Sequence, residues 1–286
     1  MKLKNALLFI ILICSGFCFG SHAEIIKILG PLHKNDASHD YFVHILKRAL
    51  AVTADQPSIE ISINKLPYPG QKRAMKLLES GEFYDVNWSA NSLERNEKLI
   101  YVPFPLFKGL LGHRGFVITP ANLPRFKNIT SLAELKRLTI CQGRGWPDVK
   151  VLSDNGFNIT EVTYFPAMLD MVKLARCDAV PLSVLEGAVE VASLSNKSGE
   201  LIFFNELIIS YELVMNFYLP KTRMKLKNRL YKGLLILEKT GEFEKIMRTQ
   251  VLTRDVMKHL NRNVKQVIEL PIQEKHIIEQ RQFFIR

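Results

Sequence analysis

Apolar positions along the chain follow two alternating patterns, one typical of strands and one typical of helices. In residues 59–63 every second side chain is isoleucine, which predicts a half-exposed strand. In residues 40–52 the apolar side chains return every three or four positions, which predicts an amphipathic helix. The alternation of strand and helix runs through residues 25–105 and again through about 119–207. Such alternation predicts an α/β protein with open, mostly parallel sheets covered by helices on both faces.

Two long apolar segments without a helical period lie at the borders of the two α/β units. They are PLFKGLLGHRGFVITPANLP at 105–124 and LIISYELVMNFYLP at 207–220. We interpret them as two strand-like crossings, so the fold class is two α/β lobes joined by a two-stranded hinge. The expected boundaries are 24–115 for the first part of lobe 1, 116–210 for lobe 2, and 211–286 for a return to lobe 1 with C-terminal helices.

The N-terminus has the pattern of a secretory signal peptide. Lys2 and Lys4 precede an apolar stretch at 6–20, and small residues follow at 21 and 23. The apolar stretch is shorter than the ~20 residues that a spanning helix prefers. We therefore expect a cleaved signal peptide at 1–23 and a periplasmic protein, with a retained anchor as the alternative.

The chain is basic, with a formal net charge of +11 that falls by two when residues 1–23 are removed. This charge is compatible with an anionic ligand, an anionic surface or solubility alone. The charges are scattered and form no block of five or six, so we expect no nucleic-acid partner.

Motifs for catalysis and for cofactors are missing from the sequence. It contains neither G-x-S-x-G nor H-E-x-x-H. A histidine-rich run holds His33, His39 and His44 beside Asp36 and Asp40, which are residue types that can form a metal site. A polar loop and a solvated helix start is the preferred interpretation, so no metal and no cofactor are predicted.

Four segments, in order and spacing, resemble solute-binding protein family 3, the type II periplasmic binding proteins. They are Ser92 to Arg95 followed by an apolar strand ending in Pro103-Phe104, SLAELKRLTICQGRG at 131–145, MVKLARCDAV at 171–180, and KTGEFEKIM at 239–247. The best-known members bind polar amino acids for transport. The resemblance covers nearly all of the chain after residue 23. It implies a hinge that closes two lobes on a ligand, and a membrane permease or sensor as partner.

Two departures from the family pattern affect the expected ligand. Gly143-Arg144 stands where the family has Gly-Thr, and Ser183 stands where amino-acid binders often carry an acid. The nearest acid is Glu186. Because an α-amino group needs an anionic partner, these departures argue against ordinary amino-acid binding.

Arg95 is the first candidate for ligand contact, because a guanidinium can hold a carboxylate through two parallel hydrogen bonds. In the second lobe, Gly143, Arg144 and Trp146 follow a strand and precede a helix. Open α/β sheets bind ligands at that edge, and the next helix start attracts anions. A plain tight turn is the alternative for this loop.

Five further residues are candidates for ligand contact. Trp88 and Ser89 end the opposite strand, where Ser89 could donate to a ligand oxygen and Trp88 could be wall or core. Asp178 could brace the second-lobe sheet or contact the ligand, Glu186 could contact it, and Tyr41 could form an aromatic wall.

Two cysteines, Cys141 and Cys177, remain after signal cleavage. In an oxidising compartment they can pair, and they could equally be two small buried hydrophobic residues. The resemblance puts them at or near neighbouring strands, which allows a disulfide.

Together these features predict an exported monomeric protein that captures a small polar, carboxylate-bearing or otherwise anionic solute for an ABC-type permease or a membrane sensor. Two alternatives stay open. One is a dehydratase-like enzyme on the same fold, with Glu186 or Asp178 as acid or base. The other is a receptor or interaction module with a vestigial cleft.

Overall fold

A computed structural model of the chain describes residues 24–53, 58–194, 199–256, 260, 263–272 and 278–285. The predicted signal peptide at 1–23 lies outside the described residues. Among the helices described, none is both long enough and apolar enough to cross a membrane.

The described chain alternates strands and helices in the order that the sequence predicts. The strands are β1 Glu24–Ile28, β2 Ile59–Ile63, β3 Asn87–Ala90, β4 Ile100–Tyr101, β5 His113–Ile118, β6 Thr139–Gly143, β7 Asn158–Val162, β8 Val180–Ser183, β9 Ile202–Ser210, β10 Met215–Leu219 and β11 Gln266–Glu269. The helices are α1 Ala37–Ala51, α2 Gln71–Ser80, α3 Leu93–Lys98, α4 Leu123–Lys127, α5 Leu132–Leu135, α6 Pro147–Asp154, α7 Phe165–Lys173, α8 Gly187–Leu194, α9 Met224–Lys239 and α10 Glu242–Thr249. Short 3₁₀ segments occupy Leu110–Gly112, Pro120–Asn122, Lys221–Arg223 and Ile278–Phe283.

The first lobe is built on two small sheets. β1 and β2 are parallel, and a parallel bridge from Ile28 to Val86 links β1 to the segment before β3. β10 lies between β3 and β4 and is antiparallel to both. Helices α1 and α9 pack against each other, and Gly233 makes this approach possible. A Cβ on Gly233 would come within 2.0 Å of the carbonyl oxygen of Ala49.

The second lobe joins parallel and antiparallel pairs. β6 is parallel to β7 and is bridged in parallel to the start of the β8 segment, from Ile140 to Ala179. β5 is antiparallel to both β8 and β9. The chain enters this lobe through β5 and leaves it through β9, which lie within or overlap the two long apolar segments of the sequence. The expected architecture of two α/β lobes joined by two strands is therefore confirmed.

One strand in the C-terminal segment 211–286, which we expect to return to lobe 1 with C-terminal helices, pairs with the second lobe. β11 is parallel to β9, with Val267 opposite Ile208, and so extends the sheet of the second lobe. The physical reason is the open edge of β9, because an uncovered strand edge exposes unpaired main-chain groups. The chain then returns to the first lobe, where the main-chain N–H of Ile285 donates to the carbonyl of Lys108 at 3.0 Å.

Cys141 and Cys177 form a disulfide in the second lobe, with a Cα–Cα distance of 5.7 Å. Both lie in a buried apolar cluster that includes Met168 and Val172 of α7. The bond links β6 to the segment before β8. Of the two interpretations that the sequence left open, the structure has the disulfide.

Candidate functional site

A cavity of about 120 Å³ lies between the two lobes and is lined by residues of both. The first lobe contributes the start of α1 and the strand β3, and the second lobe contributes the starts of α6 and α7 and the segment entering α8. Both lobes therefore form its walls in this closed arrangement.

Aromatic rings form two opposing walls of the cavity. In the first lobe Trp88 stacks on Phe42, with ring centroids 5.1 Å apart, and His39 meets Trp88 edge-on at 5.4 Å. In the second lobe Trp146 stacks on Phe165 at 6.2 Å. All five rings line the cavity, so an apolar or cationic part of a solute can lie between aromatic faces.

A buried ionic cluster lies at the hinge side of the cavity. Arg114 of β5 contacts Asp148 of α6, with Nη2 and Oδ1 2.6 Å apart. The hydroxyl of Tyr211 donates to the same Asp148 oxygen at 2.5 Å and accepts a hydrogen bond from Arg114 Nε at 3.2 Å. Burial alone would lower the pKa of Arg114, but Asp148, Tyr211 and Glu186 together raise it above its usual value. The carboxylate of Asp148 therefore balances the positive charge of Arg114 inside the protein.

Two glutamates one helical turn apart, Glu186 and Glu190, extend from the α8 segment toward the first lobe. Glu186 Oε1 accepts a hydrogen bond from Ser38 Oγ at 3.3 Å, and its Oε2 lies 3.8 Å from Arg114 Nη1. Burial raises the pKa of Glu186, although Arg114 opposes the rise. Glu190 lies 3.0 Å from the imidazole of His33. Burial, together with Glu186 and Asp36, raises the pKa of Glu190 to about 8.

Carboxyl groups outnumber basic groups around the cavity. Among the described lining residues there are four carboxyl groups, one guanidinium and one imidazole: Asp36, Asp148, Glu186, Glu190, Arg114 and His39. Because burying unpaired charge is costly, a positively charged group would reduce the desolvation penalty of these acids.

Arg95 reaches across the cleft and does not line the cavity. Its Nη1 donates to the carbonyl of Ala90 at 2.6 Å, and its Nη2 donates to Gln71 Oε1 at 2.9 Å and to the carbonyl of Gly145 at 2.7 Å. Burial lowers the pKa of Arg95. Gln71 lines the cavity, so the guanidinium of Arg95 contacts a residue of the cavity wall.

The loop Gly143-Arg144-Gly145 positions a tryptophan. The N–H of Trp146 donates to the carbonyl of Gly143 at 2.9 Å, and a Cβ on Gly143 would lie 2.2 Å from the indole. Gly143 thus permits the close turn that brings Trp146 to the cavity wall. Arg144 is exposed and is not among the residues around the cavity.

Three predicted site residues line the cavity, namely Trp88, Trp146 and Glu186, and the others are not among its lining residues. The hydroxyl of Tyr41 donates to the carbonyl of Leu106 at 2.8 Å inside the first-lobe core. Asp178 contacts Arg125 and accepts from the N–H of Thr139, both at 2.7 Å, so it braces the second-lobe sheet. Ser89 is fully buried within β3.

Sequence reasoning did not identify Arg114, Asp148 or Glu190 as site residues. Arg114 had a usable signal, because it interrupts the apolar run of a hinge strand. The spacing of Glu186 and Glu190 in the apolar segment VLEGAVEVA was a second signal, since two acids four residues apart share one helix face.

No family model matches the sequence, and no curated protein matches it. Solved structures with the type II periplasmic binding fold do match the structure over most of the chain, and the chain has that fold. The fold predicted from the resemblance is thereby confirmed.

Three of the matching structures illustrate the range of this fold. An ancestral arginine-binding protein bound to arginine is 19% identical, with a TM-score of 0.56 over 79% of this chain and 98% of that chain. A periplasmic His/Glu/Gln/Arg/opine family-binding protein from Silicibacter pomeroyi in complex with lysine is 14% identical, with a TM-score of 0.57 over 80% and 98%. A histidine kinase sensor domain with similarity to periplasmic binding proteins is 16% identical, with a TM-score of 0.57 over 80% and 96%.

Proposed function

We propose that this protein is an exported solute-binding protein that closes its two lobes on a small polar solute bearing a positively charged amine. The observation that carries the proposal is the surplus of carboxyl groups around an aromatic-walled cavity between the lobes. Glu186 is the partner proposed for the amine, because it faces the first lobe and is 3.8 Å from an arginine whose charge Asp148 already balances.

The anionic ligand favoured by the sequence has less support than the amine. That prediction depended on Arg95 and Arg144. Arg144 is exposed, and Arg95 donates to the carbonyl groups of Ala90 and Gly145. A carboxylate can reach Arg95 only by displacing such contacts, so a carboxylate is a secondary group on a zwitterionic solute in this proposal.

The size of the cavity limits the solute. Its volume of about 120 Å³ is below the ~300–1,000 Å³ that drug-sized ligands occupy. A solute of amino-acid or small-amine size, with its apolar part between Trp88 and Trp146, fits both the volume and the lining.

The proposed partner is a membrane permease or a membrane-bound sensor that recognises the closed form. Among proteins of this fold, the matching structures include a substrate-binding protein of an amino acid ABC transporter and a histidine kinase sensor domain. We propose binding rather than catalysis. Asp178, one of the two acids that could serve an enzyme, instead accepts hydrogen bonds from Arg125 and from the N–H of Thr139 in β6.

Calorimetry and thermal shift with three matched compounds test this function. The compounds share one carbon skeleton and are an amino acid, the amine without the carboxylate, and the acid without the amine. We expect both amines to bind and the acid to fail. A ligand at a hundredfold excess over its Kd should add about 2.7 kcal/mol of stability.

Glu186→Gln should abolish this binding, whereas Glu97→Gln, an exposed residue of α3, should not change it. Equal binding of the acid without the amine, or an unchanged Kd in Glu186→Gln, would contradict the proposal. If the folded protein binds no compound of a broad amine panel, the result would favour the alternative of a receptor or interaction module with a vestigial cleft.

A further inference from the structure

His33, Asp36 and Glu190 meet beside the cavity, which Asp36 and Glu190 line. One ligand atom from each lies within 4.8 Å of those of the other two, and His33 Nε2 is 3.0 Å from Glu190 Oε2. His33 and Asp36 precede α1 in the first lobe, and Glu190 belongs to α8 in the second. The group therefore exists as a unit only when the lobes are closed.

The carboxylate of Asp36 is held in a fixed orientation by the main chain. Its Oδ1 accepts from the N–H of His39 at 2.9 Å, and its Oδ2 accepts from the N–H of Leu32 at 2.8 Å. Each carboxylate oxygen has a further lone pair after one such bond. Hydrogen bonds of this kind orient metal ligands in known sites.

The burial of the two acids adds a second argument. Asp36 is 5% exposed and Glu190 is 6% exposed, and both line the cavity. Two adjacent buried carboxyl groups are stable in charged form only with a cation or hydrogen-bond donors nearby. The imidazole of His33 supplies one such group, and an imidazole nitrogen is also able to bind a metal ion.

We propose that His33, Asp36 and Glu190 bind one divalent transition-metal ion of the zinc class and that this ion holds the two lobes together. One imidazole and two carboxylates suit zinc and its neighbours better than calcium or magnesium, which prefer all-oxygen sites. Bond lengths of about 2.0–2.2 Å put tetrahedral ligand atoms roughly 3.3–3.6 Å apart. Because the main chain holds Asp36, His33 and Glu190 must turn to bring the ligand atoms to that spacing. The adjoining cavity has room for a water ligand at the fourth position.

The metal shifts the equilibrium between the open and closed forms, and it does not contact the solute. An ion that binds the closed form and not the open form shifts the protein toward closure. Glu186 is not a ligand in this proposal and stays available to the solute. The metal site therefore goes beyond the proposed function, and either proposal can fail without the other.

Zinc titration of the chelator-treated, purified protein tests the site. We expect one high-affinity Zn²⁺ per chain, no comparable Mg²⁺ binding, and a smaller radius of gyration by X-ray scattering when Zn²⁺ is added. X-ray absorption at the zinc edge should show one imidazole among nitrogen and oxygen ligands.

Three variants and two matched controls locate the ion. His33→Gln, Asp36→Asn and Glu190→Gln should each weaken Zn²⁺ binding by at least about tenfold, the lower end of the cost of losing even an outer-shell partner. Asparagine caps a helix about as well as aspartate, so Asp36→Asn should fold. His44→Gln and Asp40→Asn, both on α1, should leave Zn²⁺ binding unchanged.

Unchanged affinity in the three variants, or no stoichiometric binding by the original protein, would overturn the metal site. Solute binding measured in chelator separates the two proposals. Solute affinity that persists in His33→Gln while Zn²⁺ affinity is lost supports a separate metal site. Zn²⁺ binding without compaction overturns its role in holding the lobes.

Discussion

Arg95 and Gly145 connect the two lobes directly. Nη2 of Arg95, at the end of the first-lobe segment SLER, donates to the main-chain carbonyl of Gly145 in the second lobe at 2.7 Å. The same nitrogen donates to Gln71 Oε1, and Nη1 donates to the carbonyl of Ala90. The guanidinium thus joins a loop of one lobe to two elements of the other, and the contact exists only while the cleft is closed.

Removing this contact should favour the open form. Arg95→Ala loses a hydrogen bond from a charged donor, which contributes about 1.5–3 kcal/mol. We expect a larger radius of gyration without solute and weaker solute binding, measured by X-ray scattering and calorimetry. Arg95→Lys keeps the charge but not the forked donors of the guanidinium. Its radius of gyration and its solute affinity should therefore lie between those of the unmutated protein and those of Arg95→Ala. Lost solute binding with an unchanged radius would instead indicate direct contact between Arg95 and the solute.

The buried cluster of Arg114, Asp148 and Tyr211 should be sensitive to the loss of either charge. Asp148→Ala leaves the guanidinium buried without its main partner, so we expect a loss of about 3–5 kcal/mol of unfolding free energy. Tyr211→Phe removes a hydroxyl that bonds to two charged groups and should cost about 1.5–3 kcal/mol. Urea unfolding of the three proteins measures both. Equal losses in the two variants would mean that the charge of Asp148 does not matter to stability.

Local sequence signals located many elements well. The structure has α1 at Ala37–Ala51, where the apolar repeat over 40–52 predicts a helix, and Gly81 ends α2 in the left-handed region with a φ of 70°. β2 also matches the prediction, because strict alternation fixes the buried face. By contrast, the bounds of β3 at Asn87–Ala90 depend on its pairing with β10, more than 100 residues away.

The site was less predictable than the fold for the same reason. Arg114 meets Tyr211 across 97 residues of sequence and meets Asp148 on a separate element, α6, so no local pattern reports the cluster. The family pattern singled out Arg95, but its contact with Gly145 depends on lobe closure. Trp146 was identified because its local turn, set by Gly143, is encoded within four residues.

Reduction of the Cys141–Cys177 disulfide should destabilise the second lobe. The two cysteines are 36 residues apart, and closing a loop of that length is worth ~4 kcal/mol in the chain-entropy model. We expect Cys141→Ala with Cys177→Ala to lower the free energy of unfolding by about 2–4 kcal/mol. Unfolding with and without reductant measures it, and the double variant should not respond to reductant. A response by the variant would point to an effect outside this bond.

His113, which lies at the hinge, should make the free energy of unfolding depend on pH. Burial lowers the pKa of His113, whose Nδ1 lies 3.1 Å from Ser210 Oγ, and Arg114 adds to this while Glu269 opposes it. Below the unfolded-state pKa of about 6.5 the unfolded chain takes up the proton first, so unfolding becomes more favourable as pH falls. We expect a steeper loss of Tm between pH 7 and pH 5 in the original protein than in His113→Asn. Between pH 7.5 and pH 8.5 the two Tm curves should run parallel, and parallel curves below pH 6.5 would refute this account.

Gly143 should control the position of the Trp146 indole. A Cβ at residue 143 would lie 2.2 Å from that ring, closer than real Cβ contacts, so Gly143→Ala must displace the indole from the cavity wall and from Phe165. We expect a loss of about 1–3 kcal/mol of stability from overpacking, weaker solute binding, and a red-shifted emission from Trp146. Because Trp88 also emits, fluorescence should be measured in a Trp88→Phe background.

Gly145→Ala serves as the control for this prediction. Gly145 has a φ of 78°, and its Cβ would meet Lys72 Cβ at 3.0 Å rather than the indole. This substitution should therefore lower stability through backbone strain, since L side chains rarely adopt that conformation, while leaving the emission of Trp146 in place. A red shift of equal size in both variants would show that general loosening of the loop, and not contact between residue 143 and the ring, moves the indole.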